Sequence, residues 1–481
     1  MLSKLPEKLI KFAESLPYPL YAVGGSVRDF IAGQESEFSD TDVCAPALTE
    51  DFAKRAKAAG FKVDAEYKNT GTVKFSCGEE SFEFACFRSD EYVRGEHRPV
   101  RTYFTEDINA DARRRDFKCN AVYYDIAKGR IVDPLGGVAD IENKRVTTVA
   151  AAEKVFGEDG LRLMRLARIC AQTGFSPSRE CLDGAAKNAG LIKDVSPERI
   201  FAELKLILSA DKKCGSAMAP YAGLKILYDT GVLSIILPEL AEGAGMIQNK
   251  KYHIYDVLEH SLRCAAYAEE SVRFAALLHD VGKPYCFKNF GIFTGHDAEG
   301  ARIAEDICKR LKAPKKFTEE TVKLVALHMY DLRLDAKENK VRKFILENVD
   351  ILDKLLLVKQ ADYSASTDDF STAPSVKKFK KIYAEMRAEG VPFSLKQLAV
   401  KGGDMLEIGV PAANVGDVLK SLLEDCAVKV VANEKQALLR RAKKVYLSAV
   451  NPEAYAACAK QLAEEDAAIK AAKAAAREEK E

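Results

Sequence analysis

Asp40 and Asp42 stand one residue apart in the run Asp40-Thr41-Asp42-Val43-Cys44. In an extended strand, positions i and i+2 project from one face, so the two carboxylates lie side by side. Such neighbours repel, and a bound divalent cation relieves the repulsion. Two ions held this way suit phosphoryl transfer, one activating an attacking hydroxyl and the other holding a triphosphate. The same spacing also fits an exposed acidic turn. A third acid, Glu83, stands between apolar neighbours in the strand-like run Phe82–Arg88, a placement that calls for a reason.

A second set of chemistry-bearing residues lies mid-chain. Five of the six histidines fall between 253 and 328, with His97 the exception. His260, the His279–Asp280 pair, His296 and His328 occupy separate segments, and Asp362 follows in Gln360-Ala361-Asp362-Tyr363. Imidazole and carboxylate suit divalent metals such as Mn, Fe, Ni or Zn, and ligands from several helices can converge in a bundle. Lys283, four residues beyond His279, is placed to meet a phosphate.

The elements that must position these residues can be read from periodicity. The apolar run Tyr18–Val23 ends at Gly24-Gly25, and a helix starts near Ser26. Two glycines there let the backbone approach a ligand, and free N–H groups at the helix start suit an anion such as a triphosphate. Arg28 on the first turn can reach it. The same junction serves equally as a packing feature. Lys74–Ser76, Phe82–Phe87, Ala121–Tyr124 and Arg130–Val132 read as strands. From about residue 150 helical periodicity takes over. Gly157-Glu158-Asp159 opens one helix, and Ser196-Pro197-Glu198 opens another, with Ser as cap and Pro in the first turn. On the first of these, Arg162, Arg165 and Arg168 share a broad face with Asp159. That pattern fits a solvated salt-bridge ladder as well as a binding edge. Asn451–Glu481, rich in Ala, Glu and Lys, reads as an exposed helix.

Composition narrows the classes. The 481 residues suggest about three domains, and 47% hydrophobic content supports real cores. Net charge is +1, so any nucleic-acid affinity must come from local patches. Val376–Lys381 and Leu439–Lys444 are two candidates, each also an ordinary solvated helix face. The twelve cysteines form no CxxC pair, which points to reduced, mostly buried thiols. The amino-terminal residues lack a signal-peptide apolar run, and no stretch approaches the roughly 20 apolar residues of a membrane span. A cytoplasmic location is expected, with no membrane partner.

These motifs resemble a known family. Gly24-Gly25-Ser26-Val27-Arg28-Asp29, then Asp40-Thr41-Asp42, then Glu83–Arg88 look like the head of class II CCA-adding tRNA nucleotidyltransferases and bacterial poly(A) polymerases. Arg114–Ala121, Asp133–Ile141 and Glu158–Arg168 continue the likeness. The resemblance implies an α+β architecture: a polymerase-β-like nucleotidyltransferase head, a mixed sheet with helices, followed by an all-helical neck, HD domain and C-terminal body. The expected boundaries are 1–150, 151–245, 246–365 and 366–481. It implies that Asp40, Asp42 and Glu83 are catalytic, with Mg²⁺ on the two aspartates. It implies nucleotide contacts from Gly24, Gly25, Arg28, Arg115, Asp116 and Asn120, with Lys118 and Cys119 departing from the usual pattern. Asp159 and Arg162 become the base-selecting pair, with Arg165 and Arg168 nearby. Cytosine and adenine both offer an amino donor beside a ring-nitrogen acceptor, which a carboxylate and a guanidinium can match.

The histidine pattern resembles the HD phosphohydrolase domain. That likeness implies His260, His279, Asp280 and Asp362 as ligands for a divalent metal (Mn, Ni, Fe or Mg), with His296 and His328 available for a second. Ser196–Ser209 resembles the family's neck helix. Leu398–Glu424 resembles a C-terminal family segment, with Gly402-Gly403-Asp404 and Gly409 marking turns and Ala413–Gly416 opening a helix. Pro411-Ala412-Ala413 departs from the more usual Pro-Gly-Pro. The partners implied are tRNA, CTP and ATP. Addition of A only, of CC only, or of a poly(A) tail remains compatible with the same residues. So does a phosphohydrolase whose head only binds RNA.

Overall fold

The structure, a computed structural model, describes residues 5–34, 40–91 and 100–478; the side chain of Asp40 and all of His97 lie outside the described part. The chain divides into two compact units, Met1–Ala326 with Ser364–Asp369, and Leu327–Tyr363 with Phe370–Glu481.

The first unit opens on a seven-stranded mixed sheet. Its strands are β1 (Tyr21–Val23), β2 (Asp40–Ala45), β3 (Lys62–Tyr67), β4 (Thr72–Cys77), β5 (Glu80–Cys86), β8 (Tyr123–Asp125) and β9 (Arg130–Val132), in the order β3-β4-β5-β2-β1-β8-β9. A separate ribbon pairs β6 (Arg88–Glu91) with β7 (Arg101–Phe104). Within the seven-stranded sheet β2 and β5 run parallel, and the other pairings are antiparallel.

Strand alternation decides which residues face the core. In register, Val43 lies beside Phe84 and Asp42 beside Glu83, while Phe75 on β4 opposes Phe82 and Lys74 opposes Glu83. Val43, Phe75, Phe82 and Phe84 are all buried. The helix Thr49–Ala58 covers this face, and its Phe52 stacks on Phe84 with centroids 3.7 Å apart and planes within 6°. The opposite face therefore carries Asp42, Glu83 and Lys74. Glu83 between two phenylalanines is thus explained: period-two geometry turns it away from the core they build.

Three details differ from the sequence expectation. A 3₁₀ turn, Lys118–Asn120, runs directly into the expected Ala121–Tyr124 strand with Ala121 as its cap, so the strand begins only at Tyr123. Gly157 and Glu158 end a helix, Ala152–Glu158, rather than opening one; the next helix is Leu161–Thr173. The break leaves Asp159 in extended backbone (φ −147°, ψ 109°), off the helical face that carries Arg162. The helix Pro197–Leu208 does begin with Pro in its first turn, although the Ser196 side chain makes no capping bond.

The second unit is helical among its described residues. Leu398, Val400, Met405, Val418, Leu422 and Leu438 form one buried cluster, and Tyr330 stacks on Phe344 at 3.8 Å. Gly402 and Gly403 open the helix Gly402–Glu407 instead of marking a turn, whereas Gly409 does turn the chain, at φ 93°. Pro452–Glu478 forms a helix of 27 residues. In the basic runs, Lys378 pairs with Asp331 at 2.7 Å and Arg441 with Asp425 at 2.8 Å, so each run gives at least one cation to the fold. No helix among the described residues is long and apolar enough to cross a membrane.

Phe84 joins the parallel strand pair to the covering helix. Phe84→Ala should lower stability by about 3–5 kcal/mol, the usual cost of emptying a phenylalanine site. Urea denaturation followed by circular dichroism checks it; a loss below about 1 kcal/mol would contradict the packing assigned here.

Candidate active site and metal centre

The acid-bearing face of the sheet opens into a cleft of about 470 Å³ within the first unit. Gly24, Gly25, Arg28, Asp42, Arg115, Asp116, Asn120, Asp159, Arg162, Arg165 and Arg168, eleven residues singled out from the sequence, line it together. They come from the β1–helix junction, β2, the segment after the helix Ile108–Arg113, the break that carries Asp159, and the helix Leu161–Thr173. Gly24 shows why that junction is glycine. Its φ of 86° belongs to glycine, and a Cβ there would lie 3.4 Å from Asp42 Oδ2. The glycine thus lets the backbone approach the acid of β2 closely. Glu83 stands beside Asp42 in the sheet, half exposed, with Lys74 at 3.6 Å.

A chain of polar contacts runs across the cleft. Arg28 donates to Asp29 at 2.8 Å and to Asn120 Oδ1 at 2.7 Å. Asn120 donates to Asp116 Oδ1 at 3.4 Å, and Arg165 donates to Asp116 Oδ2 at 2.6 Å. Burial pushes the Asp116 carboxyl up, but Arg165 and Arg162 overcome that and hold it at about 2. Arg162 is buried and donates to the carbonyls of Val155 and Arg114 and to Glu158, at 2.8–2.9 Å. Of the two readings of that face, the solvated Asp159–Arg162 ladder is not what the described contacts show. Asp159 instead accepts from the Leu161 N–H at 2.9 Å and lies 3.8 Å from Arg199, because the helix starts only at Leu161.

Several contributors escaped the sequence reading. Asp111 is fully buried, bonded to Arg114, Arg115 and the Tyr123 hydroxyl at 2.7–3.2 Å. Burial raises its carboxyl, yet Arg115 and Arg114 bring it down to about 2. Arg115 thus reaches the cleft from a fixed base. Arg88, Asp90, Arg114, Gln172, Arg199 and Lys213 also line the cleft, and Glu203 pairs with Arg168 at 3.0 Å. The triple arginine 113–115 was a visible signal; its buried partner Asp111 was not.

The second chemical centre is built on helices. His260 lies in the helix Val257–Tyr267, His279 and Asp280 follow Arg273–Leu278, and His296 opens His296–Arg310. All four are buried. His260 Nε2 and His279 Nε2 are 3.1 Å apart, and Asp280 lies 3.3 Å from His279 and 3.2 Å from His296. The Nδ1 atoms of His279 and His296 face the carbonyls of Ala276 and Phe293 at 2.7 and 2.8 Å. A carbonyl only accepts, so each Nδ1 carries the proton, and in the neutral ring Nε2 turns a lone pair toward Asp280. Lone pairs converging on a carboxylate form a donor set that fits a divalent cation. Gly282 permits the assembly, since a Cβ there would lie 2.2 Å from the His296 carbonyl. Lys283 is buried and bonded to Asp280 at 2.6 Å and Gln248 at 2.7 Å, so it orients a ligand rather than waiting for phosphate. Asp362, on the helix Leu352–Thr367, and His328 belong to the second unit, where Lys359 donates to the His328 carbonyl at 2.7 Å.

Three families match successive stretches of the chain: the Poly A polymerase head domain over residues 20–147, the probable RNA and SrmB-binding site of polymerase A over 174–243, and the HD domain over 252–365. Together these matches support the class II CCA-adding and bacterial poly(A) polymerase family, with an HD domain. An A-adding tRNA nucleotidyltransferase of Deinococcus radiodurans is 28% identical over 452 residues, spanning 88% of this chain and 95% of that protein. A CCA-adding enzyme of Geobacillus kaustophilus is 33% identical over 232 residues, 48% of this chain and 54% of the relative. The crystal structure of the Bacillus stearothermophilus CCA-adding enzyme in complex with CTP superposes with a TM-score of 0.65 at 25% identity, covering 90% of this chain and 95% of that one. The family is one of nucleotidyltransferases that use divalent metal ions, and the acidic face at β2 and the histidine cluster both have donor sets of that kind.

Asp116 carries a pH prediction. Its carboxyl is held at about 2 against an ordinary 3.8, so its stabilisation is complete above pH 4 and is lost as pH falls toward 2. Asp116→Asn should lose roughly 2 kcal/mol at neutral pH, and its deficit relative to the parent should close between pH 4 and pH 2. Urea titrations from pH 2 to 8 measure the gap; a deficit constant over that range contradicts the charge argument.

Proposed function

We propose that this protein adds C and A to the 3′ end of tRNA from CTP and ATP without a nucleic-acid template, in the cytoplasm. The observation that carries the reading is the cleft in which Asp42 of β2, the arginine-lined wall and Asp159 with Arg162 meet. The RNA 3′-hydroxyl oxygen attacks the α-phosphorus of the bound triphosphate. A new P–O bond forms there, the bond to the bridging oxygen breaks, pyrophosphate leaves and the hydroxyl proton passes to solvent. Asp40 and Asp42 would hold Mg²⁺, which when bound would lower the pKa of the attacking hydroxyl and offset triphosphate charge. Glu83 completes the acidic face. Gly24 and Gly25 let the phosphates approach the backbone, and Arg28 and Arg115 pair with them. Asp116 and Asn120 fix Arg28 and Arg165 in position and border the ribose. Asp159 accepts from the base amino group while Arg162 donates to the ring nitrogen, with Arg165 and Arg168 beside them. Uracil and guanine present a carbonyl in place of the amino group and are refused.

The near full-length likeness to an A-adding relative supports a narrower activity, and one experiment separates the two. On tRNA ending at the discriminator base, CTP alone should give two added nucleotides, and CTP with ATP should give three, resolved on a sequencing gel. Extension only of CC-ended tRNA by ATP assigns A addition instead. Asp42→Ala should cut incorporation roughly 10³-fold, the worth of several kcal/mol of transition-state charge stabilisation. Asp159→Ala should narrow the preference for CTP and ATP over UTP and GTP by about tenfold or more. Unchanged selectivity removes Asp159 from base choice.

The buried histidine cluster favours a second activity. We propose that His260, His279, Asp280 and Asp362 hold a divalent metal, with His296 and His328 available for another, the ion being Mn, Ni, Fe or Mg. Bound there it would activate a water toward a phosphoester. With an RNA 2′,3′-cyclic phosphate, the water oxygen forms the new P–O bond, one ring P–O bond breaks, and the freed ribose oxygen takes the proton. Metal-loaded protein should hydrolyse such ends, and His279→Ala should abolish it while leaving CTP incorporation intact. Equal hydrolysis by both proteins, or by neither, assigns the domain a purely supporting role.

A further inference from the structure

Beside the histidine cluster the first unit exposes apolar rings that a soluble surface ordinarily hides. On the helix Lys283–Phe290, Tyr285, Phe287 and Phe290 are 41%, 48% and 65% exposed. Their rings are in contact, Tyr285 with Phe290 at 6.4 Å and Phe287 with Phe293 at 5.5 Å. The shelf is tied directly to the metal ligands. The Phe293 carbonyl accepts from His296 Nδ1, and Lys283, at the start of the same helix, reaches Asp280 and lies 5.8 Å from the Phe293 ring centre. A phosphate held at the cluster therefore has aromatic faces alongside it, one turn of helix away.

The chemistry of the shelf indicates its occupant. Lys288 is exposed between Phe287 and Phe290, and Lys250 and Lys251 are exposed just beyond Gln248, the residue bonded to Lys283. Aromatic faces interleaved with cations bind single-stranded nucleic acid, the rings stacking on bases and the lysines meeting phosphates. Surfaces that pair proteins are depleted in lysine.

We infer that Phe287, Phe290 and Phe293 form a stacking shelf for the terminal base of a single-stranded RNA end whose phosphate is presented to His279, Asp280 and His296. This rests on the phosphohydrolase reading of the HD domain. The shelf gives that site a substrate class, a base-bearing RNA terminus, in place of phosphoesters at large.

The test uses the full chain and the double variant Phe287→Ala/Phe290→Ala, whose changes fall on exposed positions. Hydrolysis of adenosine 2′,3′-cyclic phosphate is compared with that of 1-O-methylribose 2′,3′-cyclic phosphate, which lacks a base. The parent should prefer the nucleoside, and the variant should lose about tenfold of that preference, mainly through KM, the size expected of one base–aromatic stack. Phe290→Tyr should retain it. Binding is read separately, by quenching of 2-aminopurine placed last in a tetranucleotide with a 3′-phosphate; the variant Kd should rise about tenfold. A parent that hydrolyses both esters, with preference and Kd unmoved in the variant, overturns the shelf and keeps the phosphohydrolase. Loss of quenching in the variant, when the parent hydrolyses neither ester, upholds the shelf as an RNA-end site and overturns the phosphohydrolase. Unchanged quenching with a dimer-to-monomer shift in light scattering assigns the face to a second copy and overturns the proposal.

Discussion

The carboxylate of Asp116 is the point on which the cleft depends. It is buried, yet it accepts from its neighbour's backbone N–H, from Asn120 and from Arg165. Through Asn120 it holds Arg28 beside the glycine turn, and through Arg165 it holds the arginine-bearing helix against the sheet domain. Taking this charge out of water costs several kcal/mol, and the arrangement persists because its lone pairs meet charge-assisted donors. The consequence is preorganisation. The glycine turn with Arg28 and the arginine-bearing helix belong to elements far apart in sequence, and one network fixes both in place.

The two chemical centres solve the same problem by different means. At β2 the acids are placed by strand alternation: a core of phenylalanines on one face forces Asp42 and Glu83 onto the other. At the histidine cluster no single element could align the ligands. Backbone carbonyls of Ala276 and Phe293 fix two imidazole tautomers, and Gly282 lets the His279–Asp280 turn approach the start of the His296 helix. Sheet periodicity does locally what carbonyl bonds and a missing Cβ do across helices.

This difference sets what was legible in the sequence. That Gly24 meets Asp42 and that Glu83 faces away from the core emerge only in the folded sheet, whereas the α+β head, the helical remainder and the Gly24-Gly25 turn could be read because they follow from patterns within a few residues. The break at 157–160 could not, since Gly157 and Glu158 serve equally as a helix end or a helix start, and packing of Gly160 against the Leu191 carbonyl decides between them. Asp159 was consequently placed one turn too far into the helix. Lys283 was read as a phosphate partner because its pairing with Asp280 and Gln248 closes only in three dimensions. Glu203 was invisible for the same reason, since its partner Arg168 lies on another helix, and at Asp111 the arginines are three and four residues on but the burial that makes the pairing matter is not local.

The near-neutral composition conceals how charge is used. Net charge is +1 over the chain, yet nine cationic side chains and four acidic ones line the cleft. A uniformly basic protein would bind any polyanion along its surface. A neutral one with a positive concavity focuses the field where the triphosphate must lie, raising local capture while leaving the rest of the surface indifferent. Carboxylates set the direction of those cations. Asp116 in the cleft and the buried Asp111 behind it fix where guanidinium groups point, and Asp159, held by the Leu161 N–H, presents an acceptor at a fixed place. Charge is thus concentrated and aimed locally by pairings between elements, so neither its place nor its direction could be inferred from the charge total.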